Sequence, residues 1–138
     1  MATQQAGQRP GPSAQADLGE QLVDLFDHPE VGHLEFHRAW LLSVLESGDF
    51  GAGAKVIQAY GKFSDQFTRP AAALALGGIG ETHWFRGKKN EVMALGPWER
   101  RCVLIGARCL PRDEAHHWLR SIKPQLNHLD RTIASWAR

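Results

Sequence analysis

The triplets Phe36-His37-Arg38, Phe67-Thr68-Arg69 and Trp98-Glu99-Arg100 recur at one constant interval, opening at positions 36, 67 and 98. That interval is what most limits the fold. Apolar or small residues travel with it: Leu41, Ala72 and Val103 in one phase, Leu42, Ala73 and Leu104 in the next, then Leu45, Leu76 and Ala107. A second echo, His83-Trp84-Phe85-Arg86 and His117-Trp118-Leu119-Arg120, has nearly the same spacing. A period of about 31–34 residues, with two helices per unit, is the mark of an α-solenoid. In such a fold no helix pair buries its apolar stripe alone, so neighbouring units must stack.

The local signals agree with helices throughout. No segment alternates apolar and polar residues with β-branched enrichment, so strands are not expected. Asp17 is placed to cap a helix with Leu18, Leu22, Leu25 and Phe26 on one face. Further helices are expected over His33–Glu46 and Ala54–Tyr60, from Thr68 to the glycines at Gly77, Gly78 and Gly80, and from Glu81 with an interruption near Gly87. Pro97 opens another, Pro111 ends it, Asp113 caps the next, and a last amphipathic segment spans Gln125–Trp136. Recurrence at repeat positions places Phe36, Trp40, Leu41, Phe67, Leu76, Trp98, Leu104, Trp118 and Ile122 in the core. Residues 1–16, rich in Gln, Gly, Pro and Ala, carry no periodic apolar pattern and read as a disordered tail or linker. Residues 17–138 form the helical repeat domain, and the length of 138 residues suits one domain.

An aromatic two residues before an arginine occurs six times, at 36, 67, 84, 98, 118 and 136, where composition alone predicts about one. Two helical steps turn about 200°. With the aromatic in the core, the arginine faces away from it, either lining a surface or serving structure by pairing with acids between repeats or capping neighbouring helices. Charge is also uneven. Residues 1–50 carry eight acids and two bases; residues 51–138 carry seven acids and fourteen bases. The basic half suits an anionic partner or an ordinary solvated surface. Arg86, Lys88, Lys89, Arg100, Arg101, Arg108, Arg120 and Lys123 are the candidate nucleic-acid contacts, with Trp84, Trp98 and Trp118 interleaved as stacking or core residues.

Other chemistry is thin. His33 and His37 share a helical face, which a metal ion can use, but no third ligand follows at motif spacing and HExxH is absent. His116 and His117 are adjacent, so they diverge on a helix, one packed and one exposed. Cys102 and Cys109 are separated by about 10.5 Å along a helix axis, too far to bridge, and read as core thiols. The segment Gly77–Glu81 lacks the spacing of a phosphate-binding loop and follows a helix rather than a strand, so it reads as a helix end and turn. No catalytic motif and no cofactor fingerprint is present, and no small-molecule ligand is indicated. The longest apolar run, Ala71–Leu76, is far short of a membrane span, and the N-terminus lacks a signal-peptide pattern, so a cytoplasmic location with no membrane partner is expected.

The repeats resemble HEAT-like α-helical repeats. More particularly, Phe67-Thr68-Arg69, Pro97-Trp98-Glu99-Arg100-Arg101, Leu110-Pro111-Arg112-Asp113-Glu114 and His117-Trp118-Leu119-Arg120 resemble the helical region C-terminal to the polymerase core in some bacterial retron-type and defence-associated reverse transcriptases. The resemblance covers residues 34–137, and the chain carries no polymerase carboxylate motif such as Tyr-x-Asp-Asp. It implies an accessory segment, or a stand-alone relative, acting beside RNA, single-stranded DNA or a polymerase partner.

The expectation is therefore an all-α, HEAT-like solenoid of about three αα units with terminal helices. Its expected role is that of a non-catalytic binding module with a basic surface for nucleic acid or a polymerase. A protein–protein scaffold docking through the acidic N-terminal half, and a small helical-repeat hydrolase or glycosylase, are the other classes. The last needs two acids or a Cys–His pair converging in a pocket.

Overall fold

The structure, a computed structural model, describes residues 12–28, 30, 35–46 and 51–136. Among them the chain is all-helical, with eight α-helices and no strand. These are α1 (Pro12–Asp24), α2 (Glu35–Glu46), α3 (Gly53–Lys62), α4 (Thr68–Ile79), α5 (Thr82–Lys88), α6 (Pro97–Gly106), α7 (Arg112–Ile122) and α8 (His128–Trp136). Short 3-10 turns at Leu25–Asp27, Val92–Ala94, Ala107–Cys109 and Lys123–Gln125 tighten the ends of α1, the α5–α6 connection, α6 and α7.

Several starts differ from the expected ones, among them α8, which opens at His128 rather than Gln125. Helix α1 opens at Pro12 rather than Asp17, so the last residues of the expected tail are helical, and only residues 1–11 of it lie outside the described residues. Pro suits a first helical turn, where its missing N–H has no partner to lose. Helix α7 takes Pro111, not Asp113, at its N-cap, and Pro111 supplies the first carbonyl, which accepts from Ala115 N–H at 2.9 Å. The glycine segment is a helix end as expected. Gly80, at φ 90°, is the left-handed residue that lets its own N–H and that of Glu81 fold back onto Leu76 O, each at 3.0 Å.

Alternate helices pack side by side, α2 on α4, α4 on α6 and α6 on α8, while α3 lies against α4. The contacts that join them fix their direction. Arg38 near the start of α2 reaches Thr68 at the start of α4; Arg69 there reaches Glu99 at the start of α6; Arg100 reaches Asp130 near the start of α8. At the far ends a Cβ on Gly78 would strike Glu46 O, and one on Gly77 would strike the Gly106 backbone. Starts meet starts and ends meet ends, so α2, α4 and α6 run parallel, and α8 joins α6 start to start. Their shared interior holds Leu42, Leu45, Ala72, Ala73, Leu76, Val103 and Leu104, all fully buried, with Val56 of α3 and Phe85 of α5 closing it from the second side.

The core differs from the expectation at the aromatics. Leu41, Leu76, Leu104, Trp118 and Ile122 are buried, but Trp40 is 63% exposed, Phe67 45% and Trp98 61%. The side chain of Phe36 lies outside the described residues. In the triplets at 67 and 98 aromatic and arginine do face opposite ways, but the inner end is the arginine. Arg38 is 6% exposed. The arginine wins the interior because the next unit holds an acceptor for it, the middle residue of the following triplet.

Candidate binding surface

The same period therefore builds two things, a buried rung and an exposed ridge. In the first rung Arg38 Nε donates to Thr68 Oγ1 at 3.0 Å and Arg38 Nη2 to Asp65 Oδ1 at 2.9 Å. The other oxygen of Asp65 accepts the N–H groups of Phe67 and Thr68, capping α4. Burial works to raise the Asp65 pKa, but the Thr68 and Arg38 hydrogen bonds outweigh it and hold the carboxyl below the usual range. In the second rung Arg69 Nη2 donates to Glu99 Oε2 at 3.1 Å, and the Tyr60 hydroxyl donates to the same oxygen. Burial, then the bond to Glu99, pushes the Tyr60 pKa up to about 12. In the third, Arg100 Nε and Arg101 Nε donate to the two oxygens of Asp130 at 2.8 and 2.9 Å, and Asp130 is fully buried. Its desolvation is likewise outweighed, by Arg101 first and then Arg100, so its pKa is lowered. Two of the rung guanidiniums also lie over rings at the end of α3, Arg38 over Phe63 at 4.0 Å and Arg69 over Tyr60 at 4.1 Å.

The ridge sits directly outside the rungs. Phe67, Trp98 and Leu129 stand one period apart at the starts of α4, α6 and α8, and Leu129 is 50% exposed. Because the starts of these helices meet in sequence, the three side chains share one edge. Helices α3, α5 and α7 end at that edge, since short connections lead from them into α4, α6 and α8. Lys62, Lys88, Lys89 and Lys123 lie at those ends, where a helix terminus favours cations. Two carboxylates here are already matched, Asp27 to Lys62 at 2.8 Å and Glu91 to Lys88 at 3.6 Å.

The eight candidate basic residues thus divide. Arg100 and Arg101 are committed to Asp130, Arg86 holds Glu114 through two hydrogen bonds, and Lys88 is tied to Glu91 and lies over the Tyr60 and Trp84 rings. Lys89, Arg108, Arg120 and Lys123 make no side-chain hydrogen bond or ion pair among the described residues. Of these Lys89 and Lys123 belong to the aromatic edge, Arg120 lies farther back along α7, and Arg108 is at the opposite edge, after the end of α6. Trp118 is core, Trp84 is half-buried, and only Trp98 of the three tryptophans named as stacking candidates is offered to solvent.

Sequence reasoning missed Leu129, Asp130 and Arg131. They continue the triplet interval with a leucine in place of the aromatic. The signal was the acceptor series Thr68, Glu99 and Asp130, which a search keyed on aromatics passes over. Arg131 ends the series by donating to Lys123 O and Pro124 O, at 3.2 and 3.3 Å, which is the helix-capping role.

His33 lies outside the described residues, and no cluster of three or more His, Cys, Asp or Glu able to hold a metal ion occurs among the described ones. Burial pushes the Cys102 thiol up to about 12 and Cys109 up to about 11, so both are protonated thiols near neutral pH. His116 is half-buried and His117 exposed, the divergence adjacency demands. Among the described residues no helix is long and apolar enough to cross a membrane. Comparison with protein-family models, curated proteins and solved structures gives no match for the chain.

Proposed function

We propose that this chain is a short, HEAT-like α-solenoid acting as a non-catalytic, cytoplasmic module that holds single-stranded nucleic acid along its aromatic edge. The carrying observation is the pair Phe67 and Trp98, large apolar side chains left 45% and 61% exposed at equivalent positions of successive units. Large aromatics held outward on rigid helix starts present flat faces to bases, and each base–aromatic stack contributes about 1–3 kcal/mol. Lys89 and Lys123, which form no ion pair among the described residues and lie on the same edge, supply phosphate contacts. The rungs beneath hold the ridge residues in fixed spacing, so less order is lost when a strand docks. As an accessory segment of the kind the sequence resembles, the module would hold RNA or single-stranded DNA for a polymerase.

The test is titration of a fluorescently labelled 12-nucleotide single strand at two salt concentrations. The expected result is binding whose log–log salt slope changes by about 0.7 for each lysine removed at Lys89 and Lys123. Phe67→Ala with Trp98→Ala should weaken binding at least tenfold without moving the salt slope. Absence of wild-type binding at low salt rejects this reading and leaves the protein–protein scaffold.

A further inference from the structure

A second feature lies off the ridge, between α7 and α8. His116, Arg120 and Lys123 follow one another at i, i+4 and i+7, so they share one face of α7 and its terminal turn. That face lines a groove of about 380 Å³ whose other lining residues are Leu119, Ala134 and Ser135. None of the six is acidic. Several cations elsewhere are matched to carboxylates, as in Arg38 with Asp65, Arg69 with Glu99 and Arg86 with Glu114. Those here are not: Arg120 and Lys123 are exposed and make no side-chain hydrogen bond or ion pair among the described residues. The Nε2 atom of His116, a residue that lines this groove, is buried with no hydrogen-bond partner, an unusual state for a polar atom.

We infer that this groove binds a phosphate group. Arg120 offers a planar fork suited to two phosphate oxygens, Lys123 a mobile point charge, and His116 a ring nitrogen. Leu119 and Ala134 give the floor an apolar surface that weakens competition from water. The phosphate belongs either to a polynucleotide backbone or to a small free phosphate compound, and both offer the same oxygens. The site meets the lysine edge of the ridge at Lys123 and needs neither Phe67 nor Trp98.

The probes are inorganic pyrophosphate and the 12-nucleotide strand, each followed by amide and imidazole NMR shifts of the full chain. Pyrophosphate should move signals of residues 116–123 and 134–135 and leave those of Phe67 and Trp98 in place. Arg120→Gln with Lys123→Gln should weaken pyrophosphate binding at least tenfold while leaving the melting temperature unchanged, because neither side chain holds a partner. If the 12-nucleotide strand displaces pyrophosphate, and Arg120→Gln alone also weakens strand binding, the phosphate is that of a backbone. Pyrophosphate that binds here and persists in the presence of the strand identifies a small-phosphate site. Pyrophosphate that leaves the α7–α8 signals unmoved, or that binds the double variant as tightly as the wild type, overturns the inference. Loss of strand binding in Phe67→Ala with Trp98→Ala, with pyrophosphate shifts intact, separates failure of the ridge from failure of the groove.

Discussion

The starts and the ends of the side-by-side helices are joined by opposite means. At the starts, long side chains reach across: Arg38 to Thr68 and Asp65, Arg69 to Glu99, Arg100 and Arg101 to Asp130. At the ends the backbones themselves touch, and missing side chains make this feasible. A Cβ on Gly106 would lie 2.6 Å from Phe85 Cζ and 2.8 Å from Ala73 O. Both joints serve the same stack, yet the first is held by charge and hydrogen-bond geometry and the second by close approach. Charged joints fail by losing a partner, and glycine joints fail by gaining an atom.

The largest effect should come at the third rung. Asp130→Asn keeps shape and removes the charge that two guanidiniums share, and should cost about 3–5 kcal/mol. Chemical denaturation reads this directly; a loss under about 1 kcal/mol would mean that the rung is ornamental. At the opposite joint, Gly106→Ala should cost about 1–3 kcal/mol by overpacking, although Ala is the better helix former. A stabilised variant would show that the ends are not in close contact.

Acid should act on one joint and spare the other. Asp65 and Asp130 have folded pKa values below the usual carboxylate value. Their contribution is complete above about pH 4, the unfolded carboxylate value, and is lost as pH falls through the folded values. Melting temperature should therefore hold steady from neutral pH to about pH 5 and drop below about pH 4. Asp130→Asn should show a smaller acid drop than wild type, and Gly106→Ala the same drop as wild type. The smallest effect should be at the ridge. Trp98→Ala should change stability by no more than about 0.5 kcal/mol, because the ring is 61% exposed. A loss of several kcal/mol would place Trp98 in the core after all.

The two joints also differ in how far they can be read from residues alone. The helical character is readable throughout, and Leu42, Leu45, Leu76, Val103 and Leu104 take the buried places that apolar spacing demands. The triplets announce that aromatic and arginine face opposite ways, since two helical steps make rather more than half a turn. Periodicity fixes relative angle and leaves absolute phase open, and apolarity alone assigns the ring to the inside. The phase is settled by Thr68, Glu99 and Asp130, polar residues that matter only as acceptors for the unit before. Gly77 and Gly106 are readable as helix breakers or close packers, but their mutual contact joins two units and has no local signature. The groove between α7 and α8 is half visible. Arg120 and Lys123 stand among the basic candidates, while His116 figures only as the neighbour of His117.

Each rung also has a direction. Every triplet from α4 onward accepts at its middle residue from the unit before, and those of α4 and α6 donate through the arginine to the unit after. The units therefore connect head to tail, like words that agree only with the next word in a sentence. The acceptor and donor travel together on adjacent residues, so a helix pair transplanted to another place in the series brings both halves of its joints with it. Reversing the order of two such pairs keeps every rung supplied, whereas cutting between Glu99 and Arg100 would separate the joint behind from the joint ahead.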